Sequence, residues 1–365
     1  MQQPCDGHII CFDIAGCRLT IADLFFTTRR KNAMTYLPVD GKQRPTVASS
    51  EQSDQSAASF ELDVLSGLSQ SPKRLHCKHL YDQRGSQLFD RICELPEYYP
   101  TRTELAIMDE YADQMAEQVG EDAVLVELGS GSSQKTRVLL DHLRAPAAYL
   151  PVDISREHLL ETADKLRREH PGLRIHPLVA DFTQPIEIPA SFDDKKRCVY
   201  FPGSTIGNLE SDEAIELLQN IAGLVGPGGG LLIGFDLQKE TAVLHDAYND
   251  SQGITAAFNL NLLHRINREA DADLDVDQFD HHAIYNVERG RIEISIVSQC
   301  DQTATIAGRE FEFDEGELIH TEYSHKYTRD GFVSMAAAAG FSARKMWTDP
   351  RDWFAVMYLE SNHGN

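Results

Sequence analysis

The chain is short of basic residues, of cysteine pairs and of long apolar runs, and each shortage excludes a class of protein. Lys and Arg number 34 against 57 Asp and Glu, a formal net charge of -23. Such a balance repels phosphate backbones and anionic lipid, which argues against nucleic acid and membrane as partners. No uncharged apolar stretch approaches the roughly 18 residues of a membrane-crossing helix. The N-terminal pieces "HIICF" and "LTIADLFF" are interrupted by Asp13, Arg18 and Asp23, and no basic region precedes them, so they do not form a secretory signal. The 7 cysteines include no C-x-x-C pair and are odd in number. A disulfide framework is therefore not expected, and a reducing, cytoplasmic compartment is. G-x-S-x-G is absent, which removes the nucleophile elbow of the α/β-hydrolases.

What remains is an ordinary globular composition, 42% hydrophobic and 25% charged, on 365 residues, enough for about two domains. Residues 1–57 differ from the rest. Their periodicity is weak and they end in the polar stretch "TVASSEQSDQSAAS", which suits a solvated linker. We expect a poorly ordered appendage there, with a start at Met34 as one reading of it. Beyond Phe60, Leu88, Ile92 and Leu95 mark one face of a helix that Pro96 stops, and a second helix is expected from near Thr103.

From "AVLVELGSGSS" onward strands alternate with helices of 10 to 15 residues as far as "GPGGGLLIGFDL". That alternation predicts a doubly wound α/β sheet with parallel strands. It lapses over 241–320, where a smaller α+β unit is expected as an insertion. The terminal pair "ARKMWTDP" and "WFAVMYLE" predicts an antiparallel closure of the sheet. Residues 58–240 and 321–365 thus make the main domain, with the helix over about 103–122 expected to pack with the insertion. Internal repeats are absent.

The first strand runs into "VELGSGSSQKT". Gly129 and Gly131 allow a tight turn and a close approach of the backbone to a ligand at a helix N-terminus. Gln134 stands where a dinucleotide fingerprint has its third glycine, which argues against a pyrophosphate. Asp153 ends the next strand, placed to accept from a ribose diol. Asp181 and Phe182 end a third, suited to an adenine slot with an aromatic wall. Three strand ends in series predict an adenosine-type cofactor, and the E-x-G-x-G form of the loop favours S-adenosylmethionine over NAD. No metal is expected. "HCKH" lacks a distant partner pair, and the acidic run Asp271 to Asp280 places Val276 where a calcium loop needs glycine. A fourth strand, "RCVYF", breaks into Pro202-Gly203-Ser204-Thr205-Ile206-Gly207-Asn208, small residues closed by a lone carboxamide.

"YDQRGSQLFDRICELPEYYPTRTE", "LVELGSGSSQKTR", "FPGSTIGNL", "AYNDSQGITAAFNLNLLHRINRE" and "MWTDP", in this order over residues from about 60 to about 360, resemble the histidine Nα-methyltransferases of ergothioneine biosynthesis. The resemblance implies a class I S-adenosylmethionine-dependent methyltransferase domain with an inserted substrate domain. It implies three methyl transfers to L-histidine, giving hercynine. It also implies cofactor contacts at Gly129, Lys135, Asp153, Asp181 and Phe182. Tyr98 becomes a substrate contact and Tyr81 a neighbour of the amine. Asn208 and Tyr248 would hold the α-carboxylate, with Glu322 and Ser324 on the imidazole. Catalysis would rest on orientation rather than on a covalent group. One departure is Ile294, where a member of that family has methionine near the imidazole. The resemblance implies no particular oligomeric state.

Overall fold

The computed structural model describes residues 49–131 and 134–362. The appendage expected over 1–57 lies outside these residues except at its end, as does the start expected at Met34. That end departs from the expected linker: helix α1 runs Ser49–Leu68 and takes in most of the polar stretch. Its Ala, Glu and Gln residues are good helix formers and extend the helix that Phe60, Val64 and Leu68 anchor by burial.

Helix α2, Gln83–Glu94, is capped by Asp82, whose Oδ1 accepts from the Gly85 amide at 2.7 Å. Helix α3, Tyr99–Val119, begins four residues earlier than expected, because Pro100 falls in its first turn, where a missing N–H costs nothing. Strands β1 (Val124–Leu128), β2 (Ala148–Asp153), β3 (Leu178–Val179), β4 (Arg197–Phe201) and β5 (Gly230–Asp236) are parallel, linked by helices α4 (Gln134–His142), α5 (Arg156–Glu169) and α6 (Ser211–Val225). Helices α7 (Thr241–Tyr248) and α8 (Ile254–Glu269) follow. Next come strands β6 (Phe279–Asn286), β7 (Arg291–Ser298), β8 (Gln302–Ile306), β9 (Arg309–Phe313) and β10 (Leu318–His325), then helix α9 (Arg329–Ala338). Strands β11 (Phe341–Thr348) and β12 (Phe354–Ser361) close the main sheet, β12 lying antiparallel to β5. The sheet order is β11-β12-β5-β4-β1-β2-β3, the doubly wound α/β arrangement with the antiparallel terminal pair.

Side chains of the sheet alternate between two covered faces, as period-2 strands must. Val124, Val126 and Leu128 of β1 join Leu217, Leu218 and Ile221 of α6 in one core. Leu125 joins Ile107, Met108 and Met115 of α3 in the other. Helix α3 therefore packs on the main sheet rather than with the insertion, the reverse of what the sequence suggested, because these residues make a stripe that fits the sheet. The second unit recruits α1 and α2 instead. Their Phe60, Val64, Leu88 and Ile92 share a core with Leu262 and Ile266 of α8 and Ile294 and Ile296 of β7. This unit carries the sheet β10-β7-β6 and the pair β8-β9. The boundary expected at 320 falls inside β10, whose residues continue pairing with β7 as far as His325.

Candidate active site

Strand β4 ends where the chain must turn sharply. Gly203 and Ser204 both take positive φ, 82° and 59°, and the chain coils into the short 3-10 turn Thr205–Asn208. Gly207 in that turn lies so close to β10 that a Cβ would meet the His325 carbonyl oxygen at 2.9 Å. Only glycine permits this approach, and it delivers the Asn208 side chain to β10. Asn208 Nδ2 donates to Glu322 Oε1 at 2.8 Å.

A cavity of about 1040 Å³ opens at this edge of the sheet, and the five expected cofactor residues, Gly129, Lys135, Asp153, Asp181 and Phe182, all line it. Gly129 and Gly131 have φ of 70° and 43°, and the Phe182 ring lies 3.6 Å from where a Gly129 Cβ would stand. Asp153, pushed up by burial, accepts from Ser155 N at 2.8 Å and Gly131 N at 3.4 Å. Beneath the loop Glu127 takes Thr136 Oγ1 on both oxygens, at 2.6 and 2.7 Å, and the Tyr149 hydroxyl on one. Burial pushes its carboxyl up to about 7. The donor set fits S-adenosylmethionine: a backbone cradle that side chains would fill, a carboxylate for a diol, and an aromatic wall beside a polar strand end.

Glu104 is a buried partner of the cavity residues Lys135 and Gly203 that sequence reasoning missed. It is fully buried on α3, takes the Lys135 ammonium at 2.6 Å and the Gly203 amide at 2.9 Å, and so ties the glycine-loop helix to the β4 turn. Glu104→Gln keeps an acceptor for Gly203 and removes the charge facing Lys135. It is expected to weaken S-adenosylhomocysteine binding roughly tenfold, with the affinity for the methyl acceptor changed less than about threefold, as read by calorimetry.

The expected substrate residues Tyr81, Tyr98, Asn208 and Glu322 line the same cavity. A small void of about 30 Å³ behind Glu322 is bordered by Tyr98, Tyr248, Asn259 and Ile294. The Tyr98 ring meets Tyr248 edge-on at 6.0 Å, and Tyr81 meets Phe89 and Phe258 at 5.5 and 5.4 Å. These edge contacts fix the ring planes. Glu322 is pushed up to about 8 by burial, against the pull of Lys326.

The pairings differ from those the resemblance implied. Asn208 contacts Glu322, although the two were assigned to opposite ends of the substrate. Tyr248 lies with Ser324, their hydroxyl oxygens 2.8 Å apart. Ser324 lines neither cavity, because its hydroxyl is turned toward Tyr248 and Lys326. Behind them Lys326, Asp236, Lys239 and Tyr99 form a buried network that sequence reasoning also missed. The period of two in "TEYSHK" was the available signal: Glu322, Ser324 and Lys326 stand at alternate positions and share one face. Among the described residues no group of three or more His, Cys, Asp or Glu side chains is placed to hold a metal, and no helix is long and apolar enough to cross a membrane.

The chain matches a family model described as histidine-specific methyltransferase, SAM-dependent, over residues 60–361. It is 40% identical to the histidine N-alpha-methyltransferase of Mycolicibacterium smegmatis over 83% of this chain and 95% of that protein. It is 41% identical to the protein of the same name from Mycobacterium tuberculosis, over 86% and 98%. A more distant similarity, 26% identity over 87% of this chain and 97% of the relative, is to an L-tryptophan methyltransferase of Psilocybe serbica.

Proposed function

The chain belongs to the family of histidine-specific, S-adenosylmethionine-dependent methyltransferases, and on that premise we propose that it methylates the α-amine of L-histidine three times, yielding hercynine, the first step of ergothioneine formation. The observation that carries the reading is the contact of Asn208 with Glu322 on the wall of the cavity that also holds the glycine loop. An amino acid gripped there sits beside the cofactor end.

S-adenosylmethionine supplies a methyl group on a sulfonium, and the acceptor must offer an amine lone pair in line with it. The protein's part is orientation and charge. Asn208 donates hydrogen bonds without adding a negative charge, which beside the amine would stabilise the ammonium and withhold the lone pair. Glu322 offers an acceptor to an imidazole N–H. A ring lacking that group would leave a buried polar atom unpaired, which is the basis for rejecting other side chains. The faces of Tyr81 and Tyr98 suit the quaternary ammonium that the third transfer creates. The free Cys77, Cys93, Cys198 and Cys300 suit a reducing compartment, so the proposal places the enzyme in the cytoplasm.

Mass spectrometry of an equimolar amino-acid mixture incubated with protein and S-adenosylmethionine tests the reading. Histidine carrying three added methyl groups is expected. A second reading, a different amino-acid acceptor, is favoured by Ile294, which borders the same small void as Glu322. Methylation of another amino acid with histidine untouched would establish that reading and overturn the first.

A further inference from the structure

The network behind the acceptor end holds two ammonium groups around one carboxylate. Asp236, at the end of β5, takes Lys239 at 2.6 Å and Lys326 at 2.9 Å, with all three side chains at most 2% exposed. The Tyr99 hydroxyl donates to the same carboxylate at 2.6 Å. Lys239 has further company in its hydrogen bond to the Leu237 carbonyl and in the field of Asp349. Lys326 spends only one of its three donors on a charge. The other two go to neutral hydroxyls, Tyr248 at 2.8 Å and Ser324 at 2.6 Å. A buried ammonium ordinarily requires an anion close by, and this one shares its carboxylate. Glu322 is a further acid that feels Lys326, and burial pushes its own carboxyl up to about 8.

Hydrogen-bond polarity then follows from the donor inventory. An ammonium has donors and no acceptor, so both hydroxyl oxygens accept from Lys326 and both hydroxyl protons must point elsewhere. One proton bridges the 2.8 Å between the two oxygens, and with Ser324 as its donor the Tyr248 proton is the one left to be donated outward. Tyr248 borders the void that Glu322 and Tyr98 share. The group received there must be an acceptor, and the surplus positive charge behind the hydroxyls favours an anionic one.

We infer that Lys326 is a positioning residue that supplies the counter-charge of the substrate's α-carboxylate, transmitted through the hydroxyls of Tyr248 and Ser324. The inference rests on the amino-acid reading above and deepens it. Removing Lys326 leaves Asp236 paired with Lys239, a neutral pair, so Lys326→Met is not expected to expose an uncompensated charge.

The test compares L-histidine with L-histidinamide, in which a neutral carboxamide replaces the carboxylate, by calorimetry in the presence of S-adenosylhomocysteine. The unaltered protein is expected to prefer histidine by roughly 100-fold or more. In Lys326→Met the preference should fall below about tenfold, mostly through weaker histidine binding, with S-adenosylhomocysteine affinity within about threefold of the parent. Lys326→Arg keeps the charge and should keep most of the preference. Should Lys326→Met fail to fold, the double variant Tyr248→Phe/Ser324→Ala severs the same relay and must collapse the same ratio. An unchanged ratio in the variant, equal loss for both compounds, or no preference in the parent overturns the inference. Absence of histidine binding to the parent would overturn the function and the inference together, whereas histidine binding with an unmoved ratio overturns the inference alone.

Discussion

Asn208→Ala is expected to lower kcat for L-histidine by roughly two to three orders of magnitude while leaving S-adenosylhomocysteine affinity within about threefold. The carboxamide is held by a turn with little freedom. Its backbone follows two positive-φ residues and rests on β10 through Gly207. Truncation removes both amide donors and leaves Glu322 Oε1 without its 2.8 Å partner. The acceptor can still enter, since Tyr81, Tyr98 and Glu322 remain on the cavity wall, so KM should move less than kcat. A small misplacement of the amine relative to the transferring carbon is enough to cost about 100-fold. Asn208→Asp separates shape from charge. It preserves volume but sets a carboxylate beside Glu322, which raises the amine pKa and should slow turnover to a similar degree at neutral pH, with partial recovery as pH rises. Turnover near the parent level in Asn208→Ala would remove the residue from the site.

The residues proposed to hold the cofactor were legible because they follow from local rules. A glycine loop after a strand, an acid at the next strand end and an Asp-Phe pair at the third can each be read within a few positions, and all of them line one cavity. Asn208 was legible for the same reason, as a polar residue closing a run of small ones. The Lys326 network was not, because Asp236, Tyr99 and Tyr248 come from β5, α3 and α7, and only the tertiary fold brings them together. Helices α1 and α2 illustrate the same limit in packing. Their apolar stripes announce helices but do not say which sheet will cover them. Ser324 was singled out by its motif, but alternation along β10 sets the face of a side chain and not whether a neighbouring ammonium will claim its hydroxyl. Glu104 was hidden in an unremarkable helix, and its role depends on two partners, Lys135 and Gly203, from separate loops.

Glu322→Ala is expected to weaken L-histidine binding roughly 100-fold or more, because it removes the buried acceptor for a ring N–H. Glu322→Gln retains an oxygen for Asn208 and for the ring, and the loss should be nearer tenfold. The same pair of proteins separates the electrostatics. Burial raises the Glu322 carboxyl from 4.5 to about 8 in the fold, so between those values the native state holds a proton that the unfolded chain has released. Stability from this group is therefore complete below about pH 4.5 and is lost as pH rises through about 8. Glu127, raised to about 7, acts in the same direction, while His79, lowered to about 4, acts in the opposite one. Both are common to parent and variant and cancel in the difference. Melting curves of the ligand-free proteins from pH 5 to 9 should thus show Glu322→Gln gaining on the parent as pH rises, and histidine with S-adenosylhomocysteine should narrow that gap by giving the carboxylate a partner. A Tm difference that stays constant across the range would mean that Glu322 is ionised and solvated at neutral pH, and an unchanged histidine KM in Glu322→Ala would place the ring elsewhere.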